Sequence, residues 1–375
     1  MKTLELVPIR RGQASSDLSL FGRTAAEKAR AFHRTLPGYA PTPLRELRAL
    51  AETLGVKGLL VKDESFRFGL NAFKALGGSY AIHGLLKEKP QTFVTATDGN
   101  HGRGVAWAAR ILGQRAVVYM PRGSAPERLE NIRAQGAEAE IIDSPYDDVV
   151  RYAKQQADEN GWVLVQDTAW TGYTDIPVRI MQGYTTMGLE ILEALGDRIP
   201  THVFLQAGVG SMAGAVAAFL AAVYGKNRPK VITVEPFTAD CIFRTAQADD
   251  GMLHCCDGEQ MHTIMAGLCC GEPCSVAWEF LRDCADFAVR ITDGIAATGM
   301  RVLGNPMPGD ERIVSGESGA SAFGAAFELL TCPDCAEERE QIGLDAGSVI
   351  LVISTEGDTD RENYRDIVWR GKYGH

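Results

Sequence analysis

Thr92-Phe-Val-Thr-Ala96, then Thr97-Asp-Gly-Asn-His-Gly102, then the run from His101 to Leu112, make a unit of three parts. The first part is apolar and β-branched, the second is rich in glycine, and the third carries apolar residues at helical spacing. The unit reads as a strand, a tight turn and a helix. It then repeats, with strands expected at 116–120, 137–142 and 163–165 and helices at 125–135 and 146–160. Apolar strands alternating with helices predict a parallel sheet covered on both faces.

The same alternation holds on either side. Downstream, a long helix at 176–195 leads to a strand at 202–206, a helix at 212–224 and a strand at 230–234. Further strands are expected at 287–291 and 348–353, with helices at 294–303, 320–330 and 360–369. Upstream lie an irregular lead with a helix at 24–32, the extended Tyr39-Ala-Pro-Thr-Pro-Leu44, an amphipathic helix at 44–54 and a strand at 58–62. Between 235 and 275 the periodicity weakens, and loops with short helices are expected. The fold class is therefore α/β, with two open, mostly parallel twisted sheets covered by helices. Residues 1–90 and 191–375 would form a large domain, and residues 91–190 a smaller inserted one.

The chain has 375 residues, 45% of them hydrophobic, and a formal net charge of -10. Its length fits two domains or one with an insertion. The acidic balance argues against nucleic-acid binding. No apolar run is long enough to span a bilayer, and the first residues carry charges but no signal-peptide core, so a cytoplasmic location is expected. All nine cysteines follow residue 240. Cys241 or Cys256 could pair with Cys269 or Cys270 under oxidation, but reduced thiols are the default in a reducing compartment. Cys332-Pro-Asp-Cys335 is a lone C-x-x-C with no second spaced pair after it, so no metal is assigned to it.

Four loops carry candidate chemistry. In Phe68-Gly-Leu-Asn-Ala-Phe-Lys-Ala-Leu-Gly-Gly78, Lys74 is expected at the start of a helix among Phe68, Leu70, Phe73 and Leu76. Apolar surroundings and the positive end of the helix dipole both favour its neutral amine, the form that makes a Schiff base. The bland alternative is a snorkelling helix lysine. Thr97-Asp-Gly-Asn-His-Gly102 opens a helix whose amides can hold an anion, or Asp98 or Asn100 is an N-cap. Ala207-Gly-Val-Gly-Ser-Met-Ala-Gly214 opens another helix and can approach a phosphate closely. It also satisfies G-x-G-x-x-A, with Glu235 where a ribose-binding acid would sit, so a nicotinamide enzyme competes on this motif. Ser354, after the last strand, has a hydroxyl for a ring nitrogen, or caps a helix. Asp167 and Glu317 are further ligand contacts or caps.

In this order the loops resemble the fold type II family of pyridoxal-phosphate enzymes, to which threonine dehydratase, tryptophan synthase β and cysteine synthase belong. The resemblance spans nearly the whole chain. It is strongest to the diaminopropionate ammonia-lyase branch, through LVKDES-RFGLNAFK, TDGNHGRGVAWAA, QDTAW-GYT-IP, LQAGVG-MAG and VISTEGDTD. It implies pyridoxal 5'-phosphate as cofactor, held through Lys74 as Schiff-base lysine. Gly208, Val209, Gly210, Ser211 and Met212 would take the phosphate, Asn100 the ring hydroxyl and Ser354 the ring nitrogen. It also implies a homodimer and an amino-acid substrate, 2,3-diaminopropionate, converted to pyruvate and two ammonia. The chain departs from many relatives in carrying Asp98 where they carry serine. A carboxylate there can draw the substrate's side-chain ammonium, or act as a second base on the face opposite Lys74 and admit both D and L isomers. Asp167, Thr97 and His101 are the other expected substrate contacts. Serine or threonine dehydration and β-replacement would use the same cofactor residues. A non-catalytic cofactor-binding module would show no turnover.

Overall fold

The structure is a computed structural model that describes residues 2–10, 15–97 and 99–374. Its strands are β1 (Leu4–Pro8), β2 (Leu44–Glu46), β3 (Gly58–Asp63), β4 (Thr92–Ala96), β5 (Arg115–Met120), β6 (Glu138–Ile141), β7 (Val163–Leu164), β8 (His202–Gln206), β9 (Lys230–Pro236), β10 (Phe287–Ile291) and β11 (Val349–Ser354). They fall into a seven-stranded sheet, ordered β1-β10-β9-β8-β11-β3-β2, and a four-stranded sheet, ordered β6-β5-β4-β7. All pairs in the smaller sheet are parallel. In the larger one, only the edge strands β1 and β2 run antiparallel to their neighbours. Among the described residues, no helix is long and apolar enough to cross a membrane.

The larger sheet is buried on both faces, which is why its strands read as continuous apolar runs. In β11, Leu351 and Ile353 enter one core, while Ile350 and Val352 enter the other. The edge strands are less visible in sequence. Residues 44–54, expected as one helix, divide into β2 and the helix Arg48–Leu54. Residues 4–8, expected to be irregular, form β1. Both edges are short, and each is fixed by its pairing partner rather than by its own pattern.

The helix Ala75–Leu85 lies between the helices Asn100–Ile111 and Asp175–Leu195. Glycine allows the close approach. A Cβ at Gly104 would come within 2.8 Å of Ala75 N, and one at Gly183 within 2.4 Å of Leu76 O. Lys74 therefore starts a helix clamped backbone against backbone on two sides.

A buried charge knot holds the chain just before Lys74. Lys62 on β3 donates to Glu190 Oε2 at 2.6 Å and to Thr42 O at 2.8 Å. Arg67 donates to both oxygens of Glu64 at 2.8 Å and to those of Glu190 at 2.9 and 2.7 Å. All four charged side chains are buried. Burial would raise the Glu190 carboxyl, but the Arg67 and Lys62 contacts outweigh it and hold the group at about 2. Glu190→Ala leaves two buried cations short of a counter-charge and is expected to cost about 3 kcal/mol, read as a lower midpoint of denaturant unfolding. No loss would mean that the knot is solvated.

Candidate active site

The carboxyl ends of β4, β7, β8 and β11 and the start of the helix Ala75–Leu85 converge on one cavity, the position where open α/β sheets bind ligands. Its wall includes Lys74, Thr97, Asn100, His101, Asp167, the run from Gln206 to Met212, Thr355 and Glu356. Most of the expected site residues are thus brought together from distant parts of the chain.

Lys74 is the N-cap residue of the helix Ala75–Leu85. The loop before it has left-handed backbone at Phe68 (φ 50°) and Asn71 (φ 58°), a costly conformation for residues with a Cβ. It is held by Arg67 in the charge knot and by the Phe68 ring, 4.6 Å from that of Trp107. The Lys74 ammonium lies 5.5 Å from the Phe73 ring centroid, as the apolar reading expects. It also ion-pairs with the Asp167 carboxylate, a partner that local sequence does not reveal.

Asp167 follows β7 and is buried. Its loop is fixed by Gln166, whose carboxamide accepts from Ala96 N at 2.9 Å and donates to Tyr146 Oη at 2.9 Å. The Tyr173 hydroxyl closes the turn, accepting from Gln166 N and donating to Leu164 O. His101 Nε2 sits 2.8 Å from Val165 O, so it carries the proton. His101 Nδ1 is then left 3.8 Å from Asp167 Oδ2. Burial lowers the His101 pKa more than Asp167 raises it. His101 and Lys74 both favour the ionised Asp167 carboxylate, and Lys74 also contacts it directly. Burial alone would raise the Asp167 carboxyl, yet its charged neighbours bring it to about 2.

The glycine loop joins β8 to the helix Ser211–Tyr224, and Gly210 takes φ 95° to make the turn. The first amides of that helix have no acceptor within it and face the cavity end of the dipole. Gly208 approaches the 267–270 loop so closely that a Cβ would stand 3.2 Å from Gly267 O. Ser211 Oγ donates to Asp167 O at 2.5 Å, tying this loop to the lysine's partner. A lysine amine facing a carboxylate, with a helix N-terminus on the same cavity, fits an aldehyde cofactor that carries a phosphate.

Some expectations change. Thr97 does line the cavity, but its hydroxyl is used inward, accepting from Gly99 N at 2.9 Å and Gly102 N at 3.0 Å. The cap of the helix Asn100–Ile111 is Gly99, at φ 148°, rather than Asp98 or Asn100. Asp98 lies outside the described residues. Asn100 donates to Glu356. Ser354 is not on the cavity wall: its hydroxyl bonds Ser315 Oγ at 2.8 Å. Alternation at the strand end turns the next side chain the other way, and Thr355 lines the cavity instead, accepting from Gln206 Nε2 at 2.8 Å. Glu235 is also reassigned, since its carboxylate accepts from Ile242 N and Phe243 N at 2.8 and 2.7 Å and caps the helix Cys241–Ala248. An acid spent on a helix start is not a ribose ligand, which removes the nicotinamide reading.

Sequence reasoning missed Gln206, Glu356, Tyr146 and Cys270 on the wall. Tyr146 also lines a larger cavity of about 620 Å³ with Arg128 and Glu317. There Glu317 accepts from Asn363 Nδ2, and burial, opposed by Arg128, raises its carboxyl to about 7. No two of the nine cysteines are joined in a disulfide.

Comparison with known proteins agrees with this geometry. The model of the pyridoxal-phosphate dependent enzyme family matches residues 35–355. The diaminopropionate ammonia-lyase of Escherichia coli (strain K12) is 51% identical, over 94% of each chain. The E. coli enzyme's crystal structure in complex with an aminoacrylate-PLP azomethine reaction intermediate superposes with a TM-score of 0.93. It is 49% identical, over 99% of this chain and 98% of that one. The biosynthetic L-threonine dehydratase of E. coli (strain K12) is 29% identical, over 54% of this chain and 37% of its own length. The chain belongs to the pyridoxal-phosphate dependent enzymes, in the branch of the diaminopropionate ammonia-lyases.

Proposed function

We propose that the protein is an ammonia-lyase that converts D- and L-2,3-diaminopropionate to pyruvate and two ammonia, using pyridoxal 5'-phosphate. The observation that carries the reading is the Lys74–Asp167 pair on the wall of a cavity shared with the Gly208–Met212 helix start. The amides of Gly208, Val209, Gly210, Ser211 and Met212 hold the phosphate, and Lys74 makes the Schiff base. Asn100 is the candidate for the ring hydroxyl, and Thr355 replaces Ser354 as the candidate for the ring nitrogen. Bound there, the cofactor supplies a sink for the electron pair left when the α-proton departs.

The rest of the chemistry belongs to the chain. Lys74 takes the α-proton of the L isomer, and Asp98 that of the D isomer, from the opposite face. Asp167 stays ionised and offers a charge complementary to the substrate's side-chain ammonium. The β-amino group leaves as ammonia, with a proton from the Lys74 ammonium. Water then releases pyruvate and the second ammonia, so the sum is substrate plus water. His101, with Nε2 committed to Val165 O, is not assigned a proton transfer.

Pyruvate release from D- and L-2,3-diaminopropionate, with L-serine and L-threonine alongside, tests this. Release from both diaminopropionate isomers in preference to the hydroxy amino acids is expected. Preference for serine or threonine would move the protein to the dehydratases. The division into a large domain (1–90 plus 191–375) and an inserted one (91–190) is supported by the separation of the strands into two sheets. A homodimer, on the resemblance alone, and a cytoplasmic location, on the sequence expectation above, complete the reading.

A further inference from the structure

The helix Glu317–Thr331 starts at the active site, where Ser318 N donates to Glu356. About 22 Å away, at 1.5 Å per residue, it ends in Glu328-Leu-Leu-Thr-Cys332-Pro-Asp-Cys335. Glu328 and Cys332 are one helical turn apart and share a face. Pro333 then opens a 3₁₀ turn, Pro333–Cys335, in which Cys335 N donates to Cys332 O at 3.2 Å. That turn folds the second thiol back onto the first. A carboxylate oxygen of Glu328 and the sulfurs of Cys332 and Cys335 come within 4.8 Å of one another.

We propose that Glu328, Cys332 and Cys335 form a binding site for one thiophilic divalent cation, Zn²⁺ above others. Two thiolates and a carboxylate are zinc ligands and complete a tetrahedron with one water. Thiolates also exclude Mg²⁺ and Ca²⁺, which need oxygen. The sequence shows only the C-x-x-C, because the third ligand precedes it on a helix and no spacing motif includes it.

A second carboxylate follows the cluster in the chain. Cys335 is the N-cap of the helix Ala336–Ile342, and Glu338 is its third residue, the position from which a glutamate reaches back over the cap. Glu338 is 7% exposed, and its Oε2 is buried without a hydrogen-bond partner. Its Oε1 accepts from Lys2 Nζ at 3.0 Å, and Thr3 Oγ1 donates to Glu328 Oε1 at 3.1 Å. The segment leading into β1 thus orients both carboxylates, as outer partners of metal ligands do. A bound ion would tie this segment to two helix ends.

The test uses the holoenzyme, reduced, stripped with a chelator, desalted and titrated with Zn²⁺ against a chromogenic competitor. One Zn²⁺ per chain is expected, with affinity falling about 100-fold in Cys332→Ser and in Cys335→Ser and about tenfold in Glu328→Gln. Pyruvate release should be unchanged in all three. Zn²⁺ should raise the unfolding midpoint of the parent but not of the serine variants, which separates a lost site from a lost fold. Equal affinity in parent and Cys332→Ser would place the metal on the other cysteines and overturn the proposal. Failure of the reduced parent to retain Zn²⁺, or an unchanged midpoint, would also overturn it.

Discussion

Lys74→Ala abolishes the visible absorption of the bound cofactor and lowers pyruvate release by ~10⁴-fold or more, the upper range for losing a proton-transfer group. The variant also upsets Asp167. In the parent, the folded Asp167 pKa of about 2 lies below the ordinary 3.8. Its ionised form therefore adds stability above about pH 4, and this is lost as pH falls from there to about pH 2. Without the Lys74 cation and its direct contact, the carboxyl is held down less firmly. The stability that the variant loses on acidification through this carboxyl is therefore smaller than in the parent. Lys74→Arg separates the two effects: it restores the charge and the neutral-pH stability but not the activity. Spectra, pyruvate assays and denaturant midpoints at acid and neutral pH check this, and a parental spectrum in Lys74→Ala would sink the lysine assignment.

Asp98→Asn is expected to reduce release from the D isomer by ~10³- to 10⁴-fold while costing the L isomer about tenfold or less. The asymmetry follows from two bases on two faces. The introduced carboxamide keeps the size of the aspartate but accepts no proton, and on the proposed two-base scheme only the D isomer needs that base. Thr97 and Asn100, the neighbours of Asp98 and Gly99 in the chain, both line the cavity. Equal losses on both isomers would instead make Asp98 a binding group for the substrate's ammonium.

Most of the sheet order follows from hydrophobic period alone. Strands deep in the sheet, such as 202–206 and 287–291, announce themselves with their observed bounds, because most of their residues are apolar. β1 and β2 do not, because an edge strand of a few residues is chosen by its neighbour's free backbone groups. The helix Cys241–Ala248 is hidden for another reason: its cap, Glu235, comes from the end of β9 rather than from the residue before the helix. In the site, Lys74, Asn100 and the glycine loop are legible because each belongs to a local strand–turn–helix signal. Asp167 as the lysine's partner, Gln206 and Tyr146 belong to pairings across long stretches of chain, and no local pattern marks them. The choice between Ser354 and Thr355 turns on the phase of a pleat, which the composition of Ser354-Thr-Glu does not reveal.

The knot of Lys62, Glu64, Arg67 and Glu190 restricts how the chain can vary. Any single loss strands a charge in a water-free interior, whereas joint replacement of all four by well-packed apolar side chains is often neutral or stabilising. A gradual path between those two solutions runs through intermediates that fold poorly. The four positions therefore behave as one inherited character, changing together or not at all. Because that character anchors the loop that delivers Lys74, substitutions that reshape substrate preference are easier to accommodate on the opposite wall of the cavity.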